Sequence, residues 1–313
     1  MRNDGSRILH PHRAVWVVLA CALLASLMAV QAEGASKPNM IFVLADDLGY
    51  GDLPCLNPDS TLKTPSADRM AREGMLFTDA HSGASLCTPT RYGVLTGRYC
   101  WRSSLKRGVL GGFSPPLIER DRLTVAGMLK QQGYHTAAFG KWHLGMTWPT
   151  SDGQRPGTGL NEAGNKVDFS KKIEHAPTTR GFDRFWGISA SLDMPPYVFI
   201  KDDHVEELPT ETQEKRGYVR RGPKGPTFEF EEVLPRLTRE VVSYVQQQKA
   251  DQPFFVYFAL NAPHTPIVPA KPFRGKSQVG DYGDFVQEVD WALGEVLKAL
   301  DDKGLAENTL VIF

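Results

Sequence analysis

From residue 39 onward the chain alternates short, nearly continuous apolar runs with longer stretches whose apolar positions recur at helical spacing. The continuous runs are residues 39–45, 135–139, 253–260 and 309–313. Runs of this length with no polar alternation predict strands buried on both faces. The helical pattern covers 67–73, 121–132, 231–249 and 282–302, with glycine at 74, 133 and 304 as stops. In the last of these, Phe285, Val289, Leu293, Val296, Leu297 and Leu300 form one face. Thr64-Pro65-Ser66 predicts a capped start for the first helix, and residues 75–78 predict a short extra strand. Strands alternating with helices predict an α/β architecture, a mostly parallel sheet flanked by helices.

Three stretches break this rhythm. Arg2, Arg7 and Arg13 precede an apolar run at 14–30 and the small-residue site Val30-Gln31-Ala32. That order predicts a cleaved signal peptide over residues 1–32 and export to the periplasm or the cell exterior, an uncleaved anchor being the alternative. No other membrane association is expected. Residues 147–180 are rich in glycine, proline and polar groups and too long for an ordinary connection, which predicts an active-site loop bearing on substrate choice. Residues 191–226 are mixed, with Pro195-Pro196-Tyr197 and charged stretches whose charges read as solvated surface. The 36 basic and 36 acidic residues cancel, so net charge attracts neither nucleic acid nor an anionic membrane. Four cysteines are too few for a disulfide scaffold.

The candidate chemistry lies where the predicted strands end. Asp46 and Asp47 follow the first. Two adjacent carboxylates at the end of a buried strand need neutralising, and oxygen donors alone favour calcium or magnesium; a solvated turn is the plainer reading of the pair by itself. Lys141 and His143 follow the second strand and would share one side if the segment were extended. His264 follows the third, within Asn261-Ala262-Pro263-His264-Thr265-Pro266. Between the first two strands, Pro89 suits a first helical turn and places Cys87 at a helix N-terminus, where an anion is favoured. Arg91, four residues on, shares its face. The plain readings are a small buried thiol for Cys87, an exposed charge for Lys141 and a structural histidine for His143.

Read together, these segments resemble the type I sulfatases. Cys87-Thr88-Pro89-Thr90-Arg91-Tyr92-Gly93-Val94-Leu95-Thr96-Gly97 is similar to that family's defining segment. Residues 133–145, 181–187 and the Ala-Pro-His-x-Pro at 262–266 are similar to further family segments. The resemblance implies an alkaline-phosphatase-like fold, with 37–313 as an N-terminal catalytic domain lacking its C-terminal part. It implies that Cys87 is oxidised to formylglycine by a formylglycine-generating enzyme and becomes the nucleophile. Calcium, or magnesium, would be held by Asp46, Asp47 and the group derived from Cys87. Arg91 would hold the aldehyde hydrate, Lys141 would bind sulfate, His143 would act as base, and His264 would bind substrate and assist the leaving alcohol. The substrate would be a sulfated small molecule or glycan. Conversion of Cys87 would leave Cys55 and Cys100 as a possible pair. The alternatives are a phosphatase or phosphodiesterase on the same scaffold, which would place serine or threonine at the nucleophile, and a non-catalytic sulfatase-like binding protein.

Overall fold

The computed structural model describes residues 37–313; the predicted signal peptide lies outside the described residues. Strands β1 (Asn39–Asp46), β2 (His135–Lys141), β3 (Arg184–Ile188), β4 (Ile200–Lys201), β5 (His204–Val205), β8 (Phe254–Pro263) and β9 (Thr309–Ile312) form one sheet in the order β5-β4-β3-β2-β8-β1-β9. The pairings from β3 through β9 are parallel, while β4 and β5 are antiparallel. Strands β6 (Glu211–Gln213) and β7 (Gly222–Lys224) make a separate two-stranded ribbon.

Strand β8 lies at the centre and shows why its run is unbroken. Val256, Phe258 and Leu260 pack into one core with helices α4 (Val233–Gln246) and α5 (Gly280–Asp302). Phe255, Tyr257 and Ala259 pack into a second core on the opposite face. Tyr92 and Leu95 of helix α2 (Cys87–Thr96) and Ala126 and Leu129 of helix α3 (Val125–Gln131) fill that second core. Both faces of the strand are therefore covered by apolar side chains.

Several expectations are corrected. Residues 75–78 form no strand; Met75 and Phe77 are 79% and 69% exposed. Helix α3 starts at Val125 rather than 121, because the Thr124 hydroxyl caps it by accepting from the Gly127 N–H at 3.0 Å. Thr64 does not cap α1 (Pro65–Glu73). That work falls to Asp290 of α5, which accepts from the Ser66 and Ala67 N–H groups at 3.1 and 2.8 Å. Among the described residues, strand β9 pairs with β1 and is half-exposed, where a buried strand was expected. Strands β3 to β5 extend the sheet where no strand was expected. Cys55 and Cys100 are free thiols in opposite cores.

Candidate active site

Helix α2 places Cys87 as its first residue, after Leu86 in extended conformation, with Pro89 in the first turn. The Cys87 thiol is pushed up from its ordinary value chiefly by burial and also by Asp46, against the pull of Lys141 and Arg91. It is therefore a thiol at neutral pH and no ready thiolate nucleophile.

One turn further, Arg91 is fully buried. It donates to the carbonyls of Lys141 and Leu260, at 2.7 and 3.1 Å, and Nη2 lies 3.2 Å from Asp46 Oδ1. Lys141, also fully buried, donates to Asp46 Oδ2. Burial opposes ionisation of Asp46, yet Lys141 and Arg91, with His264, hold its carboxyl well below the usual range. Two buried cations face one buried carboxylate, so the cluster is cationic. Gly140 precedes Lys141 at φ +107°, where a Cβ would lie 1.9 Å from the Ala259 carbonyl oxygen, so the approach of β2 to β8 there requires glycine.

His143 does not continue an extended segment. Its φ is +54°, a left-handed conformation costing a non-glycine residue about 1–2 kcal/mol. The turn is held by backbone bonds of Trp142 and His143 N–H to the carbonyls of Ile188 and Ser189, at 3.0 and 2.9 Å. Thr88 locks it from the other side, its hydroxyl donating to the His143 carbonyl at 3.0 Å. The His143 ring is fully buried, and Nε2 lies 2.7 Å from the Leu110 carbonyl. A carbonyl only accepts, so Nε2 carries the hydrogen and Nδ1 the free lone pair. Burial first, then Lys141 and Arg91, drive this imidazole well below its ordinary value. Nδ1 has no hydrogen-bond partner.

Asp47 and His264 lie at the rim. Asp47 is also left-handed, at φ +64°, and its carboxylate is 3.6 Å from His264 Nε2. His264 Nδ1 is 2.5 Å from the Thr265 carbonyl. Asp46, Asp47, Cys87 and Arg91 line one cleft of about 280 Å³; Lys141 supports it from beneath, through Asp46. Oxygen-only, anionic donors at a strand end suit a hard cation in kind. They supply part of a shell of 6–8 oxygens, and among the described residues no three acidic, histidine or cysteine side chains converge. Asp46 is moreover already engaged by both cations.

The Sulfatase family profile matches residues 38–313. The chain belongs to the sulfatase family. It is 33% identical over 318 residues to the N-acetylgalactosamine-6-O-sulfatase of Bacteroides thetaiotaomicron, covering 90% of this chain and 59% of that protein. It is 34% identical over 303 residues to arylsulfatase A of Homo sapiens, covering 92% and 54%. A solved Bacteroides thetaiotaomicron structure, described under the metabolism of multiple glycosaminoglycans, superposes with a TM-score of 0.75 at 32% identity, covering 88% of this chain and 61% of that one. The chain thus spans little more than half the length of these sulfatases. Sequence reasoning missed Thr88 and Leu110, which position His143; their signal is tertiary, since Leu110 lies 33 residues before His143.

Proposed function

We propose that this sulfatase-family chain carries the nucleophile and anion-binding residues of an exported sulfuric ester hydrolase acting on sulfated glycans or small aryl sulfates. The observation that carries the reading is the cationic cluster of Arg91 and Lys141 around Asp46, directly under a Cys87 set on a helix N-terminus. A sulfate ester is an anion, and a site that attacks it must offset that charge. The buried thiol is a poor nucleophile as it stands, which favours its conversion to formylglycine by a formylglycine-generating enzyme. Once formed, that group supplies a hydrate with two hydroxyls, one to attack sulfur and one to give up a proton as sulfate leaves. A calcium ion, with magnesium the other candidate, would be held by Asp46, Asp47 and residue 87 and would supply charge stabilisation. Arg91 would orient the hydrate from one helical turn away. Lys141 would neutralise sulfate oxygens. His143, held neutral, would take the proton at Nδ1. His264 would meet the leaving alcohol through Nε2, the ring nitrogen not turned toward the Thr265 carbonyl. The leader at 1–32 supports export to the periplasm or the cell exterior. Cysteine rather than serine or threonine at 87 disfavours the phosphatase alternative, and the retained cluster disfavours a non-catalytic binding protein.

The test is mass spectrometry of the peptide containing residue 87, from the complete gene product made in its native host, together with turnover of 4-nitrophenyl sulfate. An aldehyde at 87, with turnover abolished in Cys87→Ala, is the expected result. An unmodified thiol, in a host that modifies other sulfatases, would overturn the reading.

A further inference from the structure

Asn261 lies on β8, 3% exposed, and neither its Oδ1 nor its Nδ2 has a hydrogen-bond partner. A buried amide with both ends unpaired is costly, and native proteins seldom keep one without use. Its place in the sheet indicates the use. Strands β1 and β8 run in register from Met40 opposite Phe255 to Leu44 opposite Ala259, then slip, so that Asp46 pairs with Pro263. The two extra residues of β8 fall between Ala259 and Pro263, and Asn261 lies within that irregularity, two residues before the strand partner of Asp46. Such bulges re-aim side chains and favour positions next to active sites. By strand alternation Asn261 shares the face of Tyr257 and Ala259, the face over which α2 packs. Its neighbour Leu260 supplies the carbonyl that holds Arg91.

We propose that the Asn261 amide is a further substrate-contacting residue, its Nδ2 donating to a non-bridging oxygen of the bound sulfate group beside Lys141. This rests on the sulfate-ester reading above. A neutral donor adds affinity for the anion without adding charge that Asp46 would have to balance. It also explains the unpaired Nδ2, because its partner arrives only with substrate.

The test measures the dissociation constant of inorganic sulfate by calorimetry for the complete protein and for its Asn261→Ala and Asn261→Ser variants, alongside KM for 4-nitrophenyl sulfate and the melting temperature. A lost hydrogen bond to a charged group corresponds to about tenfold or more. Asn261→Ala should therefore weaken sulfate binding and raise KM by that factor, with an unchanged or higher melting temperature. Asn261→Ser, which keeps a donor, should fall between. Unchanged sulfate binding overturns the proposal. So does a melting temperature that drops in step with affinity, failure of both variants to fold, or weakened calcium binding with sulfate binding intact at saturating calcium. If the parent protein binds sulfate through Asn261 yet hydrolyses no sulfate ester, the functional reading fails and the Asn261 assignment stands.

Discussion

At the scale of single residues, Asp46 is the pivot of the site. It is the one buried carboxylate facing the Arg91 guanidinium and the Lys141 ammonium. Asp46→Asn removes the partner and leaves two buried cations uncompensated, which should cost about 3–5 kcal/mol of folding stability. Urea denaturation at neutral pH measures it; a loss below 1 kcal/mol would show that the cations find other partners. The pH dependence follows from the same pairing. The folded carboxyl is depressed, so its contribution is complete above the ordinary 3.8 and is lost as pH falls below that value. Arg91 and Cys87 were legible from their spacing of four residues and the proline between them. The neutral state of His143 was not. It depends on burial and on the Leu110 carbonyl, and neither has a local signature.

At the scale of elements, α5 organises the side of the molecule that carries His264. Its Asp284 accepts from the N–H groups of Gly275, Lys276 and Ser277, and its Glu288 accepts from Ala270 at 2.8 Å. Its Tyr282 hydroxyl donates to Asp52 at 2.5 Å, beside the Asp47 turn. Asp290 caps α1. One helix thus fixes the loop after His264, the turn after Asp47 and the start of another helix. The apolar face of α5 was readable from periodicity. Its buried acids were not, since a carboxylate on an amphipathic helix ordinarily faces water. Glu288 gives a test. Burial, then Glu232, pushes its carboxyl up to about 8 from an ordinary 4.5, against the Ala270 N–H and Arg274. The unfolded chain loses this proton near 4.5 and the folded chain near 8. The contribution is therefore present below 4.5 and lost as pH rises to about 8, at up to about 1.4 kcal/mol per pH unit. Glu288→Gln should flatten that fall and be the more stable protein at pH 8, by roughly 1 kcal/mol or more. Parallel stability curves for parent and variant would refute it.

At the scale of the whole molecule, one side of β9 has no strand paired to it among the described residues. Leu310 is 50% and Ile312 44% exposed along it. A cleft of about 770 Å³ adjoins that edge, with Phe42, Leu44, Val94, Ile312 and Phe313 in its wall. It is larger than the cleft at Cys87, and apolar residues dominate its lining rather than the charged groups of the site. An unpaired apolar edge templates association. Residues 37–313 expressed alone should self-associate as concentration rises, and Ile312→Lys should suppress this without changing the circular dichroism spectrum. Light scattering after size-exclusion chromatography measures it; a monomeric parent at high concentration would contradict the expectation. Among the described residues no helix is long and apolar enough to cross a membrane.

The sequence by itself determined the layered α/β plan, the α2 start at Cys87 and the strand ends that deliver Asp46, Lys141 and His264. These follow from apolar periodicity and from proline and glycine punctuation, which act over a few residues. Tertiary structure alone decided the strand order, the pairing of β9 with β1, the loss of the strand at 75–78 and the left-handed turn at His143. It also decided the capping of α1 by a residue more than two hundred positions away. Each is an interaction between distant segments, where the free energy lies in burial and in pairing of charges and backbone groups that no local window of sequence contains.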